Sequence, residues 1–205
     1  MNKNDKDVIF DKLVSDVSKC DKCPRMDSRK KVLSLNNGNI HSKVIFIAEA
    51  PGRNGAEITG IPLYGDPSGN NFQELLNSIN WKRNEIFITN SVLCNPQNVN
   101  GTNASPTLDE IVNCHKYLKR ILEIIDPVVV VTIGGKALRA LKLIENHNFN
   151  LKDHAAKKLS WNNRYLFVLY HMSPRVINRY RNIKKQKDDF EKLKMIVHPI
   201  NGLIK

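Results

Sequence analysis

The sequence predicts an α/β protein, a three-layer α/β/α sandwich around a central, mainly parallel four-stranded sheet. Four short apolar runs recur along the chain, and segments with helical periodicity separate them. One run carries four consecutive valines, the pattern of a parallel strand buried on both faces.

The first run, Lys43 to Glu49 (KVIFIAE), leads into AEAPG and a long loop with no predicted helix or strand. Structureless loops of that length are uncommon in compact domains and are often functional. SGNNFQELLNSI follows, where Phe72, Leu75, Leu76 and Ile79 recur at helical spacing. The second run, Glu85 to Asn90, ends just before Cys94. After a polar loop, Asn95 to Asn103, Pro106 and the pair Thr107 and Glu110 announce a helix with a capping box. Its predicted stripe is Leu108, Ile111, Val112, Leu118, Ile121, Leu122 and Ile125, and Cys114 rides on it. The valine run ends at Ile133, where Gly134 and Gly135 turn the chain into the helical KALRALKLI. The fourth run, Tyr165 to Tyr170, ends at His171, and a last helix is predicted over about Lys184 to Val197.

The 205 residues suit one domain, 1–205, with an amino-terminal cysteine-bearing segment over about 1–40. Hydrophobic residues make up 41% and charged residues 25%, the balance of a soluble globular protein, and no apolar run could span a membrane. The polar start MNKNDKDVIFDKL excludes a signal peptide, so a cytoplasmic, monomeric protein is expected. Thirty-two Lys and Arg against 20 Asp and Glu give +12, a field that attracts polyanions such as nucleic acid. The stretch RVINRYRNIKKQK, 175–187, concentrates that charge around Tyr180, although a solvated helix face would read the same way.

Cysteines number four: Cys20 and Cys23 in CDKC, then Cys94 and Cys114. In a reducing compartment a metal explains them better than disulfides. Four thiolates fit structural zinc or an iron-sulfur cluster, and unligated buried thiols are a third reading. Spacing does not choose between the metals, since 70 residues separate Cys23 from Cys94 and 19 separate Cys94 from Cys114. On these residues alone zinc is preferred.

Ligands of open parallel sheets bind outside the carboxyl ends of the strands. The residues there are Glu49, Asn90, Gly134 with Gly135, and His171: a carboxylate, an amide, backbone donors and an imidazole. Each has a structural alternative, respectively a salt bridge, a closed turn, a simple strand-to-helix connection and a satisfied core histidine.

From Cys20 to about Val197 the chain resembles the iron-sulfur uracil-DNA glycosylases, families 4 and 5 of their superfamily. The resemblance is carried by CDKC, AEAPG with TGIPLYGDPSG, ITNSVLCNP, Cys114, VVVVTIGGKA and YHMSP, in the family's order. It implies excision of uracil, or of other deaminated bases, from DNA in base excision repair, leaving an abasic site. It turns the cofactor preference to a four-iron four-sulfur cluster on Cys20, Cys23, Cys94 and Cys114, with zinc the alternative. It also implies roles. His171 faces a uracil carbonyl, Asn90 reads the base edge, and Glu49 or Asp66 orients the attacking water, Glu49 being preferred. Ala50, Leu63 and Tyr64 frame the base. Gly134, Gly135, Lys136, Ser173 and Arg175 meet the DNA, with Arg175 or Met172 as the wedge that replaces the flipped base. Leu63 stands where the family usually has a stacking Phe, and Tyr64 or Phe72 is the expected substitute. Two rival readings are a non-catalytic metal-stabilised nucleic-acid-binding protein and a redox iron-sulfur protein; the charge and the strand-end residues oppose the second.

Overall fold

The structure is a computed structural model and describes residues 3–201. Its strands are β1 (Val44–Ala48), β2 (Phe87–Asn90), β3 (Val129–Ile133), β4 (Lys158–Trp161) and β5 (Arg164–Leu169). Its helices are α1 (Lys3–Ser18), α2 (Ala56–Thr59), α3 (Pro67–Ser78), α4 (Leu108–Ile125), α5 (Gly135–Leu141), α6 (Leu151–His154), α7 (Pro174–Arg179) and α8 (Ile183–Asn201). The sheet order is β2-β1-β3-β5-β4. All pairs are parallel except β4 with β5.

The strand residues divide by alternation, as the pleat requires. Ile45, Ile47, Phe87, Val130, Leu166 and Val168 pack on one face beneath α1, α4 and α5. Phe46, Ile88, Val129, Val131, Phe167 and Leu169 pack on the other beneath α3 and α8. This two-sided burial makes the central runs continuously apolar, and each such side chain contributes roughly 1.5–3 kcal/mol relative to exposure.

The expected sandwich is present, with corrections. The sheet has five strands rather than four, because Trp161-Asn162-Asn163-Arg164 folds back as a hairpin. Asn162 and Asn163 both sit at positive φ, 47° and 57°, as a type I′ turn requires. The loop after β1 is shorter than expected, since α2 interrupts it and α3 starts at Pro67 with Asp66 as its N-cap. Helix α1, absent from the expectations, buries Phe10, Leu13 and Val17. The capping box of α4 forms as predicted, but the stripe is rotated: Leu108 and Val112 are exposed while Tyr117 and Ile124 are buried. Among the described residues no helix is long and apolar enough to cross a membrane.

Candidate active site

The carboxyl ends of β1, β2, β3 and β5 open into one cleft of about 1000 Å³, within the usual range for small-molecule sites. Glu49, Ala50, Leu63, Asp66, Asn90, Gly134, Gly135, Lys136, His171, Ser173 and Arg175 all line it. Tyr64 does not: it is half exposed and turned toward Arg83, whose guanidinium lies 5.9 Å from its ring centroid. Phe72 is fully buried in the core, and so is Met172, which removes it as a wedge that could enter DNA.

Asn90 ends β2 with its side chain 2% exposed, and its Nδ2 has no hydrogen-bond partner. An orphaned buried donor is rare in folded proteins and costs about 1–3 kcal/mol, so it marks a place where a ligand can complete the bonding.

His171 follows β5. The Ser173 N–H donates to its Nδ1 at 3.0 Å, so the neutral ring carries its proton on Nε2. Burial pushes the imidazole below its ordinary pKa, and the charge of Asp66 opposes that only in part. The backbone around the ring is held from two helices: Gln186 on α8 donates to the His171 carbonyl at 3.4 Å, and Asn71 on α3 donates to the Met172 carbonyl at 2.8 Å.

The two carboxylates differ in freedom. Asp66 caps α3, accepting from the Gly69 N–H at 2.8 Å. Its other oxygen lies so close to Gly52 and Gly55 that a Cβ on either would stand 2.7 Å from it. The Glu49 side chain has no hydrogen-bonding or ionic partner among the described residues, while its carbonyl accepts from Ser91 Oγ at 2.6 Å and from the Val92 N–H at 3.2 Å. The backbone is fixed and the carboxylate is left open to the cleft.

Leu63 adopts a left-handed backbone, φ 50°, uncommon outside glycine. Arg83 holds it there, donating to the carbonyls of Pro62 at 2.6 Å and Leu63 at 3.3 Å, with its guanidinium 5.7 Å from the Phe72 ring centroid. At the start of α5 the Gly134 N–H is already committed to the Leu169 carbonyl at 2.7 Å and cannot serve an anion. Lys136 and Arg139 bring charge to that wall.

Sequence reasoning passed over Arg139, Tyr170 and Asn95 as cleft residues. Asn95, 1% exposed, donates to the Pro51 carbonyl and to Asn103 Oδ1, tying the loop after β2 to the loop after β1. Its position five residues beyond Asn90, in a polar segment leaving a strand end, was the available signal.

The four cysteines, far apart in sequence, line one small pocket together with Lys22, Met26, Val92 and Asn113. None is disulfide-bonded. The donors around them suit bound thiolates: the Leu93 N–H points at Cys114 Sγ at 3.4 Å and Asn113 Nδ2 at Cys23 Sγ at 3.6 Å. Burial pushes the thiols of Cys94 and Cys114 up to about 11 and about 12, so a positive charge is needed to hold them ionised. No three His, Cys, Asp or Glu side chains among the described residues gather closely enough to hold a single metal ion.

A family model of the uracil DNA glycosylase superfamily matches residues 35–194. The type-4 uracil-DNA glycosylase of Saccharolobus solfataricus is 33% identical over 191 residues, 90% of this chain and 85% of the relative. That of Archaeoglobus fulgidus is 28% identical over 188 residues, covering 90% and 91%. The type-5 uracil-DNA glycosylase of Pyrobaculum aerophilum is 26% identical over 200 residues, covering 84% and 86%. Cleft geometry, thiol pocket and similarity over most of its length agree: the chain belongs to the uracil DNA glycosylase superfamily.

Proposed function

We propose that this protein is a monofunctional DNA N-glycosylase that flips uracil out of DNA and hydrolyses its glycosidic bond. The unpaired Asn90 amide donor in the cleft carries the reading. An amide presents one donor and one acceptor, the complement of a uracil edge, and a base is the ligand that would satisfy it.

The chemistry follows from the side chains. The C1′–N1 bond breaks with its electron pair leaving on the base, which becomes anionic at its carbonyl oxygen. His171, neutral with its proton on Nε2, donates a hydrogen bond to that developing charge. Glu49, free of protein partners, holds the water that attacks C1′ and takes its proton. Asp66 stabilises the cationic sugar electrostatically. Leu63 and Ala50 supply apolar contact to the flipped base. Lys136, Ser173 and Arg175 meet the backbone around it, with exposed Arg175 as the wedge that fills the gap.

The thiol pocket supports a four-iron four-sulfur cluster on Cys20, Cys23, Cys94 and Cys114. These four thiols, brought to one pocket from distant parts of the chain, would be its ligands. Bound there, it would supply a cross-link between the amino-terminal segment and α4. Purified protein is expected to be brown and to contain iron and acid-labile sulfide; a colourless preparation with stoichiometric zinc would overturn the cluster.

The test of function is excision. Single- and double-stranded oligonucleotides carrying one uracil are incubated with protein and treated with alkali. Strand cleavage that disappears in His171→Ala supports the glycosylase. A folded, metal-loaded protein that binds DNA but leaves uracil, hypoxanthine and xanthine intact would be a binding module instead.

A further inference from the structure

The chain has five tyrosines, and in four of them a cation covers one ring face. Arg83 lies over Tyr64, Lys116 over Tyr117, Lys158 over Tyr165 and Arg181 over Tyr170, at 5.9, 4.8, 3.8 and 5.7 Å from the ring centroids. Tyr180 is the exception. It is 69% exposed, and among the described residues its side chain has no hydrogen bond, ring partner or covering cation.

Its location makes this more than an ordinary exposed aromatic. Tyr180 lines the cleft at the end of α7, where its N–H donates to the Val176 carbonyl at 2.9 Å, so the backbone that carries the ring is fixed. Arg175 and Arg179, on the same short helix, are exposed and free of ion-pair partners among the described residues. Arg181, by contrast, is locked in a fork on buried Asp189. An open π face beside two uncommitted guanidiniums is the arrangement that binds an unpaired nucleotide: the ring stacks on a base, the cations neutralise phosphates, and the sequence is not read.

We propose that Tyr180 is a stacking platform for a nucleobase next to the flipped one. The proposal rests on the glycosylase reading, because flipping breaks the stack on both sides of the lost base: Arg175 in the gap meets one neighbour, and the other is left with a bare face. Tyr180 would therefore be a binding residue for the flanking strand, outside the chemistry itself.

The test is a cycle between protein and DNA, using the full chain and a single strand whose uracil is attached to a 2′-fluorinated sugar, which resists hydrolysis. In one strand the nucleotides flanking the uracil are natural; in the other they are abasic spacers with the same phosphates. Fluorescence anisotropy gives the Kd of each. Tyr180→Ala is expected to weaken binding to the natural strand about tenfold. The same change should leave the spacer strand unaffected, and Tyr180→Phe should bind both as the parent does. Equal losses on both strands, no loss on the natural strand, or a loss in Tyr180→Phe equal to that in Tyr180→Ala would each overturn the proposal. Circular dichroism checks that the variants fold. Binding here requires no excision, so a protein that binds these strands but releases no uracil from the unfluorinated strand would refute the proposed function and leave the stacking result readable.

Discussion

Replacing Asn90 by Leu should make the protein more stable and much less active. The Asn90 side chain is buried at 2% exposure, its Nδ2 is unpaired, and the backbone at that position is held in register by pairing of β2 with β1. In the free protein the orphaned donor costs about 1–3 kcal/mol. Leu branches at the same carbon, carries no donor and adds modest volume, so part of the gain is offset by tighter packing. A net gain of about 1 kcal/mol should raise the Tm by about 2–4 °C for a chain of this size. Catalysis moves the other way. A hydrogen bond to a base that turns anionic contributes about 1.5–3 kcal/mol, so kcat/KM should fall roughly 10- to 100-fold. Thermal melting in the absence of DNA and release of uracil from a labelled strand give the two numbers. A variant that melts well below the parent while still excising uracil would show that Asn90 is a structural residue, and the reasoning would fail.

Three further outcomes follow from the same geometry. Burial lowers the His171 pKa, so the unfolded chain takes up that proton at a higher pH than the folded one. Stability is therefore full above the ordinary histidine value of about 6.5 and falls as pH drops from there toward the lowered folded value. The slope should flatten in His171→Gln, and chemical denaturation between mildly acidic and neutral pH would expose an unchanged slope. In Gly55→Ala the new Cβ would lie 2.7 Å from Asp66 Oδ2 and 2.8 Å from the Tyr64 carbonyl, whereas at Gly135 nothing lies within 4 Å. The first should lose about 1–3 kcal/mol and the second almost nothing, and similar melting of both would contradict the crowding. Leu63→Phe should add aromatic stacking of about 0.5–1.5 kcal/mol and raise kcat/KM on uracil roughly 3- to 10-fold; unchanged kinetics would mean that this side chain does not touch the base.

Much of this was legible because it rests on local pattern. β1, β2, β3 and β5 are apolar runs buried on both faces, and α4 announces itself by Thr107 and Glu110. β4 escaped because it is an edge strand whose residues alternate between exposed and buried, although the Asn-Asn pair before Arg164 was a readable turn signal. α1 escaped because its apolar face is only Phe10, Leu13 and Val17 in a polar segment. The strand-end residues Glu49, Asn90, Gly134, Gly135 and His171 do line one cleft, whereas Tyr64 and Met172, also expected near the base, do not. What sequence could not give is the bonding state of each group: that Asn90 lacks a partner, that Glu49 is free while Asp66 caps a helix, or that Arg83 reaches across from another segment to hold Leu63. These depend on residues brought together from distant parts of the chain.

The docking of α1 on α4 fixes an order of events during synthesis. Lys6 Nζ donates to the Ile125 carbonyl at 3.0 Å, and Asp16 pairs with Arg120 at 2.6 Å, at sequence separations of 119 and 104. Helix α1 therefore has no complete surface to fold against until α4 has emerged from the ribosome, and contacts this distant in sequence form slowly. Cys20 and Cys23, just beyond α1, wait with it for Cys114. The thiol pocket is therefore assembled late, once Cys94 and then Cys114 have joined the first two cysteines.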